Sequence, residues 1–225
     1  SVWLPTGSKI ETNGGNITIG GGIDPATGYS YSGEFYSAET NAIYRGVTIN
    51  GFLDAKGGDI SIKAEGPSSG AAGRGISIGG VISTQGNGNI SIDGISHTTS
   101  DGIGIGDTNP GTINIENGTL TLNGTKGKGS NGINFSTAGS AINITGSGFV
   151  NANATGRIYL NLGKINKSGS GISNLTLKAT DHIVLEKGFK IQSTGGALNT
   201  TFHSDSDGTN GGFIWLKGNG YGGVF

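Results

Sequence analysis

The sequence predicts an all-β chain wound as a parallel β-helix, a solenoid of short strands with one irregular insertion. Three observations carry this. One short motif keeps returning: a Gly-rich turn, then Asn or Asp, then two aliphatic residues flanking one small polar residue. The alternation inside that motif is strict, which is strand periodicity with one face buried. Glycine fills 47 positions while net charge is only −1, so the composition describes strands broken by tight turns. A disordered chain would be charged and poor in β-branched residues.

The motif first reads Gly14-Gly15-Asn16-Ile17-Thr18-Ile19 and repeats as Gly57-Gly58-Asp59-Ile60-Ser61-Ile62. Gly75-Ile76-Ser77-Ile78, Gly88-Asn89-Ile90-Ser91-Ile92 and Thr112-Ile113-Asn114-Ile115 follow. Ala141-Ile142-Asn143-Ile144, Asn174-Leu175-Thr176-Leu177 and His182-Ile183-Val184-Leu185 complete the series. A second strand leads into several of these turns, as at Val47 to Ala55, Val81 to Thr84 and Phe189 to Ser193. The unit is therefore strand, turn, strand, recurring at roughly 20–30 residues, a solenoid period. Sandwich strands are usually longer and less alike. Each coil advances about 4.8 Å, so roughly nine or ten coils would make a rod about 45 Å long. Helical periodicity is nearly absent; only Ala38 to Arg45 could form a turn or two.

Residues 24–46 break the rhythm. Four of the chain's 6 tyrosines fall there, and the stretch reads as an insertion projecting from one coil. The whole chain, 1–225, reads as a single β-helix segment carrying that insertion and excised from something longer, because it starts at Ser1 without Met and stops without a polar cap.

Charged residues are 13% of the chain, so Ser, Thr, Asn and Gly must cover the surface. The pairs Lys126 with Lys128 and Lys187 with Lys190 are solvated charges rather than the basic cluster a phosphate backbone needs, so nucleic acid is not an expected partner. With Cys 0, there is no disulfide framework and no Cys-based metal site. No apolar run approaches the ~20 residues of a membrane-spanning helix, so no membrane insertion is expected.

Two blocks carry a family resemblance. Asp181 to Gly212 begins Asp-His-Ile-Val-Leu-Glu-Lys-Gly-Phe-Lys-Ile-Gln-Ser and ends Ser-Asp-Gly-Thr-Asn-Gly-Gly; Gly51 to Ala64 reads Gly-Phe-Leu-Asp-Ala-Lys-Gly-Gly-Asp-Ile-Ser-Ile-Lys-Ala. Both resemble the repeat of the filamentous haemagglutinins and high-molecular-weight adhesins, the exoproteins of two-partner secretion. The resemblance implies a right-handed β-helix, secretion through an outer-membrane transporter to the bacterial surface, and attachment to a host-cell glycan or glycoprotein. The family's secretion-domain signatures are not seen, which favours an adhesive or stalk segment. A monomer is expected.

Asn-x-Ser/Thr triplets stand at Asn16, Asn89, Asn117, Asn123, Asn134, Asn143, Asn153, Asn166, Asn174 and Asn199, more than composition alone gives. Strand grammar explains part of the excess, since Asn suits turns and Ser or Thr suits the outward strand position. The resemblance implies the other reading, modification by an N-glycosyltransferase. The expected ligand contacts are Tyr29, Tyr31, Phe35, Tyr36, Tyr44 and Arg45 in the insertion: rings with hydroxyl handles suit sugars or protein surfaces, and an arginine suits a carboxylate such as that of a sialylated glycan. The bland alternative folds these rings back as a lid on the rod.

No catalytic, cofactor or metal residues are expected. Polysaccharide-cleaving β-helices would need carboxylates facing one sugar bond. The available clusters, Asp54 with Asp59, Asp101 with Asp107 and Asp205 with Asp207, all lie at Gly-rich turns, where Asp is ordinary. His97, His182 and His203 have no partner spacing. Gly127 to Gly132 matches dinucleotide spacing only by letters, with no helix to follow, and Asp205 to Gly208 opens like a calcium loop without its later glutamate. Thr119-Leu120-Thr121 is too little for an ice-binding face. The expected function is a non-catalytic adhesin segment; capture of a host carrier protein, or a polysaccharide-active enzyme, are the alternatives.

Overall fold

The computed structural model describes residues 1–31, 45–68, 73–107, 109–129, 131–209, 211–218 and 223–224. Among these the chain is strand and turn, with no helix. It is a parallel β-helix of about six turns. Each turn contributes up to three strands, and each strand pairs in parallel with its counterpart one turn earlier and later.

The first ladder runs Val2–Leu4, Arg45–Ile49, Arg74–Ile78, Ile103–Ile105, Asn131–Phe135, then the opening halves of Arg157–Lys167 and Ile183–Ser193, and Ile214–Leu216. The second runs Lys9–Glu11, Phe52–Asp54, Val81–Ser83, Thr112–Ile115, Ala141–Ile144 and the closing halves of the same two long strands. Because those long strands pass from one ladder to the other without a break, the two form one sheet, brought to 14 strands by Gly223–Val224, which pairs antiparallel with Ile214–Leu216. The third ladder is a separate sheet: Ile17–Ile19, Ile60–Glu65, Ile90–Ile95, Thr119–Thr125, Phe149–Thr155, Ser173–Ala179 and Leu198–His203.

Register places the recurring aliphatic residues on top of one another. Ile17, Ile60, Ile90, Leu120, Val150 and Leu175 form one inward column. Val47, Ile76, Ile103, Ile133, Ile158 and Ile183 form another. All of these are buried, and burying such a side chain is worth about 1.5–3 kcal/mol. Stacked identical shapes fill the interior without voids, which is why so plain a motif suffices.

The coil length corrects the expected rod. Hydrogen-bonded neighbours on adjacent turns are typically 30 residues apart in the middle of the chain, shorten to 23 where Ala141–Ile144 meets Arg157–Lys167, and run from 25 to 31 beyond it. Three strands and three corners consume more chain than the two-strand unit assumed, so there are about six turns rather than nine or ten. The first turn is longer, with neighbours 43 residues apart, because it contains the insertion. That insertion is narrower at both ends than 24–46: Ser30–Tyr31 pairs with Ala64–Glu65, and Arg45 and Gly46 already belong to the first ladder. Its remaining residues, Ala38 to Tyr44 among them, lie outside the described residues.

The corner between the third and first ladders is made by small residues in two facing columns. Ala64, Gly94, Gly124, Ala154 and Ala179 align on the third ladder. Opposite them stand Gly46, Gly75, Gly102 and Gly132. A Cβ on Gly94 would sit 2.4 Å from the Gly102 carbonyl oxygen, and one on Gly124 would sit 2.2 Å from that of Gly132. Neither glycine has positive φ. They are glycine because two backbones touch there.

Candidate functional site

The expected aromatic contacts divide. Phe35, Tyr36 and Tyr44 lie outside the described residues. Tyr29 immediately precedes the short strand Ser30–Tyr31, its ring 6.0 Å from Lys63 Nζ on the third ladder; burial, then Asp93 and Glu65, push its phenol up. Tyr31 is exposed and shares a hydrogen bond with Ser68 Oγ at 3.3 Å. Arg45 is on the outer face of the first ladder, 13% exposed, and its guanidinium is bound by Asp107. A ligand carboxylate at Arg45 would have to displace that aspartate.

The sequon asparagines fall into outward ladders. Asn123 Nδ2 donates to Asp93 Oδ1 at 2.5 Å and Asn153 Nδ2 to Asn123 Oδ1 at 3.0 Å. Asn143 Nδ2 donates to Asn114 Oδ1, and Asn199 Nδ2 to Asn174 Oδ1. Asn89 Nδ2 donates to Asp59, and Asn134 Nδ2 to Asp101. Asn166 is half-buried and accepts from Gln192 Nε2 at 3.0 Å. Asn16, Asn117 and Asn174 are exposed and engaged only through their carbonyl oxygens. The side-chain ladders also satisfy turn backbone: Asn16, Asp59 and Asn89 accept the amide N–H of Asp59, Asn89 and Thr119 in succession.

The acidic clusters are held by their own chain. Asp54 accepts the Lys56 amide, and Asp59 belongs to the turn ladder. Asp101 accepts from Arg74 at 3.0 Å, Asn131 Nδ2 at 3.0 Å and Asn134 Nδ2 at 2.9 Å. Asp107 is shared by Arg45 and Arg74. Asp207 accepts the Thr209 amide. Among the described residues no group of three His, Cys, Asp or Glu is placed to hold a metal ion.

The Arg45–Arg74–Asp101–Asp107 network lies on the outer face of the first ladder. Arg74 lies across Gly104, where a Cβ would be 2.7 Å from its NH1. Burial, opposed by Asp107, lowers the Arg45 guanidinium from its usual value. The atoms Arg45 Nε, Ser77 Oγ, Asn131 Oδ1 and Asn134 Oδ1 are buried there without hydrogen-bond partners.

Following the same face toward the last turns, the network opens into a cleft of about 280 Å³ lined by Asn131, Arg157, Tyr159, Val184, Glu186, Phe213, Trp215 and Lys217. Register makes it. Tyr159, Val184 and Trp215 are stacked partners on successive strands, and Asn131 is the partner of Arg157. Glu186 Oε1 accepts from Tyr159 Oη at 2.9 Å and Lys217 Nζ at 2.5 Å. Burial alone would raise the Glu186 carboxyl, but these two donors outweigh it and hold it below the usual value. Burial and the Glu186 carboxylate raise the Tyr159 phenol. Lys217 Nζ lies 4.1 Å over the Trp215 ring, and Phe213 meets Trp215 edge-on at 6.1 Å. His182 stacks behind Phe213 at 3.7 Å. Trp215 keeps 36% of its surface exposed.

None of the cleft's lining residues was among the sequence-derived candidates. The only signal in the chain is spacing: Tyr159 and Glu186 are 27 residues apart, Glu186 and Lys217 31. Those are coil lengths, which place the side chains side by side on neighbouring turns. No family model, curated protein or solved structure matches this chain.

Proposed function

We propose that this chain is a non-catalytic binding segment of an exported bacterial adhesin, a β-helical rod that presents a saccharide-binding cleft on its outer face. The observation that carries the reading is the cleft itself. A partly exposed indole, braced by Phe213 and flanked by Tyr159, offers an apolar platform of the kind a sugar ring covers, with hydrogen-bonding groups around it. The lining contains one carboxylate, Glu186, which supports binding over the paired-carboxylate chemistry of glycoside hydrolysis. In this reading the resemblance to two-partner secretion exoproteins supplies the route, export through an outer-membrane transporter to the cell surface, and the host glycan is the partner. Exposed sequon asparagines are then substrates of an N-glycosyltransferase.

The test is glycan binding by the purified chain in a Trp3→Phe background, which leaves Trp215 as the reporting indole among Trp 2. Glycans retained on an array should change the Trp215 emission, and Trp215→Ala should weaken binding about tenfold, the equivalent of roughly 1.4 kcal/mol, with the β-sheet circular dichroism unchanged. Retention of no glycan, or binding indifferent to Trp215→Ala, would overturn the reading.

A further inference from the structure

Resting on the saccharide reading, we infer that the ligand is an acidic sugar whose carboxylate is held by Arg157. The chain has three arginines. Two are matched: Arg45 to Asp107, and Arg74 to Asp101 and Asp107. The third, Arg157, lines the cleft, and among the described residues it has neither a hydrogen-bond nor an ion-pair partner. Carboxylates on the neighbouring turns are already engaged: Asp181, whose amide donates to the Gly156 carbonyl beside Arg157, pairs with Lys126 at 3.0 Å. Asp101 is occupied by Arg74, Asn131 and Asn134, and Glu186 by Tyr159 and Lys217. Lys217 is turned onto Glu186 and the Trp215 ring, so it is not the free cation.

The lining thus carries Arg157 and Lys217 against Glu186, one positive charge in excess. A guanidinium presents parallel N–H donors that fit a planar carboxylate bidentately. In the first ladder Tyr159 lies two residues beyond Arg157 on the same strand, so both side chains project to the same face. Trp215 stands two strands further along the Tyr159 row. A sugar ring resting on the indole side would direct a ring carboxylate across the cleft toward Arg157. The enclosure strengthens that contact relative to an exposed pair, which water and salt would screen.

The experiment uses carboxylated oligosaccharides beside their neutral counterparts: tetragalacturonate against its methyl ester, and sialyllactose against lactose, with a sulfated neutral oligosaccharide as a third arm. The whole chain should retain at least one carboxylated member tenfold or more over its neutral counterpart, with the preference shrinking as salt rises. Arg157→Gln should bring that preference close to one while the melting temperature stays put, since the side chain holds no partner among the described residues; Arg157→Lys should restore part of it. Equal retention of neutral and carboxylated members, equal retention of the sulfated one, or a preference that survives Arg157→Gln would overturn the carboxylate assignment and leave the saccharide reading standing. Retention of no member would overturn the saccharide reading itself and the inference with it.

Discussion

Gly94→Ala adds a single methyl to a strand whose inward neighbours are all apolar, and it should nevertheless destabilise the rod. The added Cβ would lie 2.4 Å from the Gly102 carbonyl oxygen and 2.8 Å from Ile103 Cγ1. Ordinary contact begins near 3.4 Å, so the third and first ladders must part by about 1 Å at that corner. They cannot do so alone: Gly94 is hydrogen-bonded into register beside Gly124, where an added Cβ would lie closer still, 2.2 Å from the Gly132 carbonyl oxygen. Overpacking of this kind costs about 1–3 kcal/mol. Removing a flexible glycine from a strand offsets about 0.5–1 kcal/mol of that. With both terms in mid-range the net is about 1 kcal/mol, or roughly 2–4 °C in melting temperature for a chain of this size. Differential scanning calorimetry of wild type, Gly94→Ala and the outward control Ser91→Ala measures it, with Ser91→Ala expected within about 0.5 kcal/mol of wild type. A melting temperature for Gly94→Ala equal to or above that of wild type would show that the corner yields freely, and would refute close approach as the reason for glycine there.

Lys167 occupies a core position, in register with the buried Ile144, is 0% exposed, and donates from Nζ to the Gly169 and Ser170 carbonyl oxygens. Lys167→Met keeps the stem but strands those carbonyls, so a loss of about 1–3 kcal/mol in urea unfolding is expected; unchanged stability would mean the turn needs no ammonium. The Glu186 carboxyl is held below its ordinary 4.5, so its contribution to stability is fully present above that pH and is lost as pH falls through the lowered value. The melting-temperature gap between wild type and Glu186→Gln should therefore close on acidification, and a gap constant from neutral pH to about pH 3 would contradict the arrangement around Glu186. Glycosyltransferase treatment of the folded chain should modify Asn16, Asn117 and Asn174 ahead of Asn123, Asn143 and Asn153, whose amide nitrogens are bound in ladders; peptide mapping by mass spectrometry that found the reverse order would show that the ladders do not protect.

Which side chains face inward was legible in the order of the residues alone. Ile60-Ser61-Ile62 and its repeats have a period of two, and a run of such short strands between Gly-rich turns has to stack to bury one face. That made the β-helix legible, because inside and outside are properties of a residue and its near neighbours. The sequence was silent on who sits above whom. That depends on the exact chain length between strands, which varies from 23 to 45 residues here and which no local pattern encodes. It takes the stacked coils to bring Arg45 to Asp107, to bind Asn123 between Asp93 and Asn153, and to gather Tyr159, Glu186, Trp215 and Lys217 into one cleft. The stacking also decides what glycine means at each place. Gly57 and Gly86 turn the chain with positive φ, as their letters imply, whereas Gly94 and Gly124 are extended and small because another strand's backbone lies against them.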